Sequence, residues 1–271
     1  MVKYSQMICR TALSQSRLPS LRYSLNPYMG CEHGCVYCYS KSIFRDRQLA
    51  LNWGKFVKSK QNIPEVLERE LEHKPKGTIG LSTVTDPYQP LESKLQLTRK
   101  CLEILSARDF PVSIQTKSGL ILRDADLIGP GKFDVGVTIT TMDQELAGKI
   151  EPRSSRPDAR AQVLEEFASR GLETWLFLGP IIPEITDSRE SLEKVVEVAR
   201  KTGSKLMYDK LNLRPLVMES VKPFIEVERP GLIERLPKLL NLESDWWRET
   251  SSTVKTLCAE RSVRFEPAFP T

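Results

Sequence analysis

Strand-like and helix-like stretches take turns along most of this chain. Ile63 to His73 (IPEVLERELEH) sets Val66, Leu67 and Leu71 on one helical face, with Pro64 suited to a first turn. Thr78 to Val84 is a short β-rich run, and a helix from about Leu91 to Ala107 follows, carrying Leu95, Leu102 and Leu105. The strand PVSIQT and a helix around Ile121 to Ile128 repeat the unit. Phe133 to Thr140 reads as the next strand, and Arg156 to Arg170 as a helix with Val163, Leu164 and Phe167 on its apolar face. Leu172 to Ile182 is a strongly apolar strand, Ser188 to Thr202 a helix, and Lys205 to Leu211 a last strand. With a strand just before a cysteine-containing loop in the N-terminal part, the count is six. Strands alternating with helices of this length predict βαβ units on a parallel sheet, hence an α/β fold whose natural form is a six-stranded partial (β/α) barrel.

From Arg214 onward the pattern changes to helix punctuated by Pro223, Pro230 and Pro237. Leu232 to Leu240 and Ser244 to Arg261 read as helices packed across the open barrel, with Trp246 and Trp247 as packing anchors rather than base-stacking platforms. The expected division is an N-terminal segment over 1–22, the barrel over 23–215 and a helical C-terminal extension over 216–271.

Composition narrows the class only a little. A chain of 271 residues accommodates one barrel and buries a proper core. The formal net charge of +5, from 40 basic and 35 acidic residues, suits an anionic or nucleic-acid partner as well as an ordinary solvated surface. No apolar run approaches the roughly 20 residues that span a bilayer. The N-terminus has no apolar core of signal-peptide type, so a cytoplasmic protein with no membrane partner is expected. Six cysteines fit a reducing compartment. Cys9, Cys101 and Cys258 are isolated and read as small buried hydrophobes.

The other three cysteines carry the chemistry. Ser24 to Ser40 reads SLNPYMGCEHGCVYCYS, placing Cys31, Cys35 and Cys38 in a Cys-x3-Cys-x2-Cys loop. A disulfide would leave one thiol over; three thiolates pointing at one metal centre account for all of them. An iron-sulfur cube presents three irons on one face, and a chain curling around a corner reaches all three within such a loop, leaving the fourth iron open to a ligand. Zinc is the alternative, because His33 lies among the cysteines and Cys3His is a tetrahedral set. Gly30 and Gly34 allow positive φ or close approach to inorganic sulfide.

Active-site groups of parallel barrels sit at the carboxyl ends of the strands. Here those ends carry Ser82, Thr83, Thr85 and Asp86; Thr116 and Lys117; Thr138, Thr140 and Thr141; and Tyr208, Asp209, Lys210 and Asn212. Glu151 and Arg153 look like an acid–base pair just after the fourth strand.

The cysteine pattern, with aromatic Tyr37 before its last member, resembles the signature of the radical S-adenosylmethionine (SAM) superfamily. NPYMGCEHGCVYCYS, TVTDPYQPLESK and GVTITT are similar to the branch related to spore photoproduct lyase, over about Tyr23 to Pro215. The resemblance implies a 4Fe-4S cluster whose open iron chelates SAM, and cleavage of SAM to methionine and a 5'-deoxyadenosyl radical that abstracts a substrate hydrogen. It implies that Ser82 to Asp86 stands where the SAM amino group is held, that Lys117 pairs with the SAM carboxylate, and that Thr138 and Thr140 face the methionine or ribose. It also implies that the Tyr37 backbone contacts adenine and that Gly179 and Pro180 line the adenine pocket. The Glu151–Arg153 pair is read either as orienting SAM or substrate or as an exposed ion pair of little consequence. A nucleic-acid or nucleotide-like substrate and an electron donor such as ferredoxin or flavodoxin are the partners expected.

One departure limits the carry-over. Spore photoproduct lyase returns a hydrogen atom from a cysteine near the end of its second strand, whereas LSTVTDPYQP here contains none. Tyr88 or Tyr208 is the candidate to quench a radical instead, or else a packed ring with a hydrogen-bonded hydroxyl. A radical SAM enzyme modifying a protein or small metabolite, and a non-catalytic iron-sulfur or zinc protein, stand as alternatives.

Overall fold

Runs of β-branched and leucine side chains buried on both faces form the central strands, as expected of a parallel sheet covered by helices. The computed structural model describes residues 1–44 and 47–269. Its strands are β1 (Lys3–Met7), β2 (Leu13–Gln15), β3 (Tyr23–Leu25), β4 (Tyr28–Met29), β5 (Phe56–Lys60), β6 (Ile79–Leu81), β7 (Val112–Thr116), β8 (Phe133–Thr138), β9 (Glu173–Ile181), β10 (Lys205–Lys210) and β11 (Phe265–Pro267). Its helices are α1 (Arg47–Leu51), α2 (Ile63–Leu71), α3 (Glu92–Leu95), α4 (Leu97–Ser106), α5 (Gln144–Ile150), α6 (Pro157–Ser169), α7 (Arg189–Thr202), α8 (Pro215–Glu228), α9 (Leu232–Leu239) and α10 (Asp245–Glu260).

The main sheet has the order β11-β10-β9-β8-β7-β6-β3-β2. From β3 to β10 each strand pairs in parallel with the next strand of the predicted series. Winding in one direction, with helical crossovers between neighbours, makes a partial (β/α) barrel rather than a doubly wound sheet. The six predicted strands are therefore β3, β6, β7, β8, β9 and β10. Two flanking strands were not expected: β2 runs antiparallel to β3, and β11 runs parallel to β10. Both are three residues long, and β11 contains Pro267, which an edge tolerates. A second sheet, β1-β5-β4, takes in Tyr28–Met29 just before the cysteine loop. Its β1 (KYSQM) is solvent-facing and shows no alternation, so its pairing with β5 had no signal in the pattern.

Three boundaries differ for reasons visible in side-chain contacts. The run 91–107 is two helices, broken at Gln96, whose φ is 53°. Buried Glu92 accepts hydrogen bonds from the Thr98 and Arg99 amides at 3.0 and 3.3 Å, so its carboxylate caps α4 from the preceding turn. The expected helix at 121–128 is instead a 3-10 segment, Gly119–Asp124, tied to Arg99 and Arg123 through the fully buried Asp124 carboxylate. β6 ends at Leu81 because Asn26 Oδ1 accepts the amides of Thr83 and Val84, both at 3.0 Å, drawing the chain off the ladder.

Helix α7 follows its sequence more closely. Ser188 Oγ accepts from the Ser191 amide at 3.1 Å, Gly203 ends it at φ 66°, and Leu192, Val195, Val196 and Ala199 are buried. The C-terminal helices bury apolar side chains in two places. α8 and α9 share an apolar cluster of Val217, Val221, Ile225, Leu232 and Leu236 with Ile150, Ile182 and Leu211. α10 sets Trp247 against Tyr208, ring centroids 6.0 Å apart, while Trp246 Nε1 donates to Asp187 Oδ2 at 2.7 Å. Cys9, Cys101 and Cys258 are buried and free. No helix among the described residues is long and apolar enough to cross a membrane.

Candidate active site

The cysteine loop leaves the sheet at the carboxyl end of β3 and turns at Gly30, φ 81°, where a Cβ would stand 2.5 Å from the Phe56 carbonyl oxygen. Only glycine fits that position. From there the loop is held on all sides. Thr85 Oγ1 donates to the Gly30 carbonyl at 2.6 Å, and the Glu32 amide donates to Gln89 Oε1 at 2.8 Å. Arg153 Nε donates to the Glu32 carbonyl at 2.6 Å, and its Nη2 donates to the Gly54 carbonyl. Lys41 Nζ donates to the Val36 carbonyl at 2.8 Å and to Ser220 Oγ at 2.6 Å, fastening the loop to α8. The Tyr39 hydroxyl donates to the Thr83 carbonyl.

Within this frame Cys31 and Cys35 are buried, Cys38 is half-buried, and all three thiols are free. Burial pushes the Cys35 thiol up to about 12, with Lys117 pulling the other way. Burial, followed by Asp86 and the other two cysteines, also raises Cys31. Thiols so placed ionise when a cation arrives to hold them, so metal binding there releases protons. No three His, Cys, Asp or Glu side chains among the described residues, the cysteines included, stand close enough to share one ion. A multi-iron cluster takes one thiolate per iron, whereas a Cys3His zinc site would also need His33. His33 is turned to Asp86 instead, Nδ1 to Oδ2 3.4 Å. The donor set thus suits an iron-sulfur cluster.

Asp86 is a hub behind the loop. Its Oδ1 accepts from Thr116 Oγ1 at 2.7 Å and the Tyr88 amide at 2.9 Å, while Oδ2 accepts from the Lys117 amide at 2.9 Å. Burial opposes its ionisation, but His33, Lys117 and Thr116 outweigh this and hold the carboxyl well below the usual range. The Lys117 ammonium forms no ion pair among the described residues. Burial works against its charge, and Cys35, Asp86, Glu151 and Cys38 more than restore it.

Glu151 forms a second hub. It is 2 % exposed; Oε2 lies 2.5 Å from Arg160 Nη1, and Oε1 accepts from the Tyr37 hydroxyl and, at 3.1 Å, from Thr140 Oγ1. The expected Glu151–Arg153 pair is therefore corrected. Arg160 is the partner, because α6 aims it inward toward the Ser155 and Thr138 carbonyls at 2.7 and 2.9 Å, whereas Arg153 points to the cysteine loop. Thr138 Oγ1 accepts from Gln115 Nε2 at 3.2 Å, and Ser82 Oγ donates weakly to the Leu25 carbonyl at 3.4 Å.

Lys117, Glu151, Asp86, Tyr37 and Thr140 are thus brought within hydrogen-bonding or electrostatic reach of the cysteines or of one another. The Tyr88 ring, whose backbone amide alone reaches Asp86, and Tyr208 are not. Tyr88 is fully buried in the main core beside Asp124 and Glu92, and the Tyr208 hydroxyl meets Ser251 Oγ at 2.9 Å. Lys210 holds its ammonium 5.9 Å over the Trp247 ring. Sequence reasoning passed over Asn26, Gln89, Lys41 and Arg160. Arg160 had a signal, since it sits three and four positions before Val163 and Leu164, on the apolar face of α6.

Residues 25–199 match the family model of the radical SAM superfamily. An uncharacterized protein of Methanocaldococcus jannaschii is 30% identical over 223 residues, covering 82% of each chain. One from Mycobacterium bovis is 28% identical over 251 residues, covering 88% of this chain and 74% of its own. Among solved structures, a spore photoproduct lyase mutant with bound AdoMet and dinucleoside spore photoproduct superposes with a TM-score of 0.70 at 15% identity, over 99% of this chain and 82% of that one. SuiB of Streptococcus suis bound to S-adenosylmethionine gives 0.57 at 10% identity, over 98% and 50%. At such identities the solved structures speak for the fold alone, which is the partial barrel described above. The three-cysteine loop on that barrel and the match across most of its length make this chain a member of the radical SAM superfamily, a radical SAM enzyme.

Proposed function

We propose that Cys31, Cys35 and Cys38 hold a 4Fe-4S cluster, that SAM binds beside it, and that the substrate is a nucleic acid or nucleotide-like molecule. The observation that carries the reading is the gathering of three free thiols at the barrel mouth next to an unpaired lysine, Lys117. When bound, the cluster and SAM supply a one-electron cleavage of SAM and the power to take a hydrogen atom from substrate. The protein's own residues position these groups. Lys117 offers a compact ammonium to the SAM carboxylate. Ser82 and Thr83, where Asn26 pulls the chain off the sheet, present backbone and hydroxyl acceptors for the SAM amino group. Thr138 and the Tyr37 backbone face the remainder of the cofactor. Glu151, with both oxygens engaged, acts as a positioning residue that fixes Tyr37 and Thr140. Asp86 does the same for His33 and the Lys117 backbone. A ferredoxin- or flavodoxin-type protein supplies the electron.

The support for a nucleic-acid substrate is the net charge of +5 and the shared fold with a lyase whose solved complex holds a dinucleoside photoproduct. The direct test is anaerobic reconstitution with iron and sulfide, reduction with dithionite, addition of SAM and chromatography for 5'-deoxyadenosine. Its appearance is the expected result. A protein that takes up the cluster yet forms none, with or without nucleic acid present, would end the catalytic reading.

A further inference from the structure

The connection from β10 to α8 carries two cations that none of the roles above uses. Arg214, exposed at the start of α8, holds its guanidinium 5.8 Å over the Tyr39 ring. Lys210, at the end of β10, stands over Trp247. Three cations of the C-terminal extension and its surroundings are neutralised: Arg47 by Glu219 at 2.8 Å, Lys149 by Glu228 at 3.0 Å, and Arg235 by Glu184 at 2.5 Å. Among the described residues neither Arg214 nor Lys210 has an ion-pair partner within 4 Å. Asp209, whose Oδ1 accepts the Lys210 amide at 2.8 Å, is the acidic neighbour of the lysine.

Tyr39 supplies the second half of the geometry. It follows Cys38 directly, is 38% exposed, and spans the mouth from the cysteine loop to the Thr83 carbonyl at the end of β6. An aromatic ring fixed at both ends, with a guanidinium laid over it, loses little freedom when a ligand arrives. The guanidinium keeps its fork of donors free for two oxygens of one anion. An exposed aromatic beside a cation is also how proteins seat an unpaired base next to its phosphate.

We propose that Arg214, backed by Lys210, seats a backbone phosphate of a single-stranded nucleic acid at the barrel mouth, with a neighbouring base against Tyr39. This rests on the nucleic-acid reading of the substrate and places its phosphate on named residues. It sets the strand beside the cysteine loop, since Tyr39 follows Cys38 directly in the chain.

The test titrates a fluorescein-labelled single-stranded oligodeoxynucleotide into the reconstituted full-length protein at several salt concentrations. Arg214→Ala is expected to weaken binding about tenfold or more, and to lower the slope of log K against log salt by about 0.7. Arg214→Lys should keep the slope and recover only part of the affinity. Arg235→Ala, whose guanidinium is already held by Glu184, should change neither. Equal affinity and slope in wild type and Arg214→Ala, including the case in which neither binds, overturns the proposal. Because 5'-deoxyadenosine formation is assayed separately on the wild type, loss of the phosphate seat and loss of the radical reading are told apart.

Discussion

At the scale of single residues the proposed roles separate the cysteines that would hold a metal from the residues that hold the loop around them. Cys35 is 4% exposed and its thiol makes no hydrogen bond among the described residues, while Lys117 is a cation whose charge is favoured by the carboxylates around it and by the cysteines when they ionise. Cys35→Ala should therefore abolish the brown colour and SAM cleavage while circular dichroism stays that of the wild type. Lys117→Ala should keep the colour and weaken SAM binding roughly tenfold to a hundredfold, the worth of one charge-assisted contact. Retained cluster in the first variant, or unaltered SAM affinity in the second, would remove that residue from its assigned place. The cysteine spacing was legible in the sequence because cluster ligation by a short loop is a local demand. Arg160 was overlooked because its role depends on where α6 lies over β8.

At the scale of elements, the end of the fourth strand is tied to the helices that follow it by buried polar groups. Glu151 follows α5, Arg160 lies in α6, and their contact locks both helices to the end of β8. Removing one partner of a buried pair leaves an uncompensated charge, so Glu151→Gln should cost about 3–5 kcal/mol in urea unfolding. The same pair sets a pH dependence. Burial favours the neutral acid, but Arg160 and Lys117 prevail and keep the Glu151 carboxyl below its usual range. A carboxyl depressed in the folded state contributes stability that is complete above its unfolded value and is lost as pH falls through its folded one. The acid loss seen in the wild type should therefore be smaller in Glu151→Gln. Element boundaries show the same influence of distant groups. Asn26 ends β6, and Glu92 splits a continuous heptad-like run of leucines into α3 and α4.

At the scale of the molecule, the C-terminal extension closes over the barrel through a few large contacts. Trp247 is 8% exposed, packs on Tyr208, and carries the Lys210 ammonium on its ring. Trp247→Ala should destabilise the protein by about 3–5 kcal/mol. It should also expose α9 and α10 to limited proteolysis before the barrel is cut. Simultaneous loss of both parts in one transition would show that the extension and the barrel unfold as one unit. This packing also accounts for the placement of Tyr208, which the strand-end position alone suggested for the mouth. Its ring instead joins the seam with α10.

The sequence by itself determined the order of six parallel strands, the helices that cover them, and the loop of three thiols, because hydrophobic period and ligand spacing are local properties of the chain. It also determined that Trp246 and Trp247 pack, since two large rings in an amphipathic helix need an apolar partner. Only the tertiary structure decided which charges meet. Glu151 found Arg160, Asp86 found His33 and the end of β7, and Arg214 came to rest over Tyr39. Those contacts join residues far apart in the chain, and their energies depend on burial and distance, which no local pattern encodes.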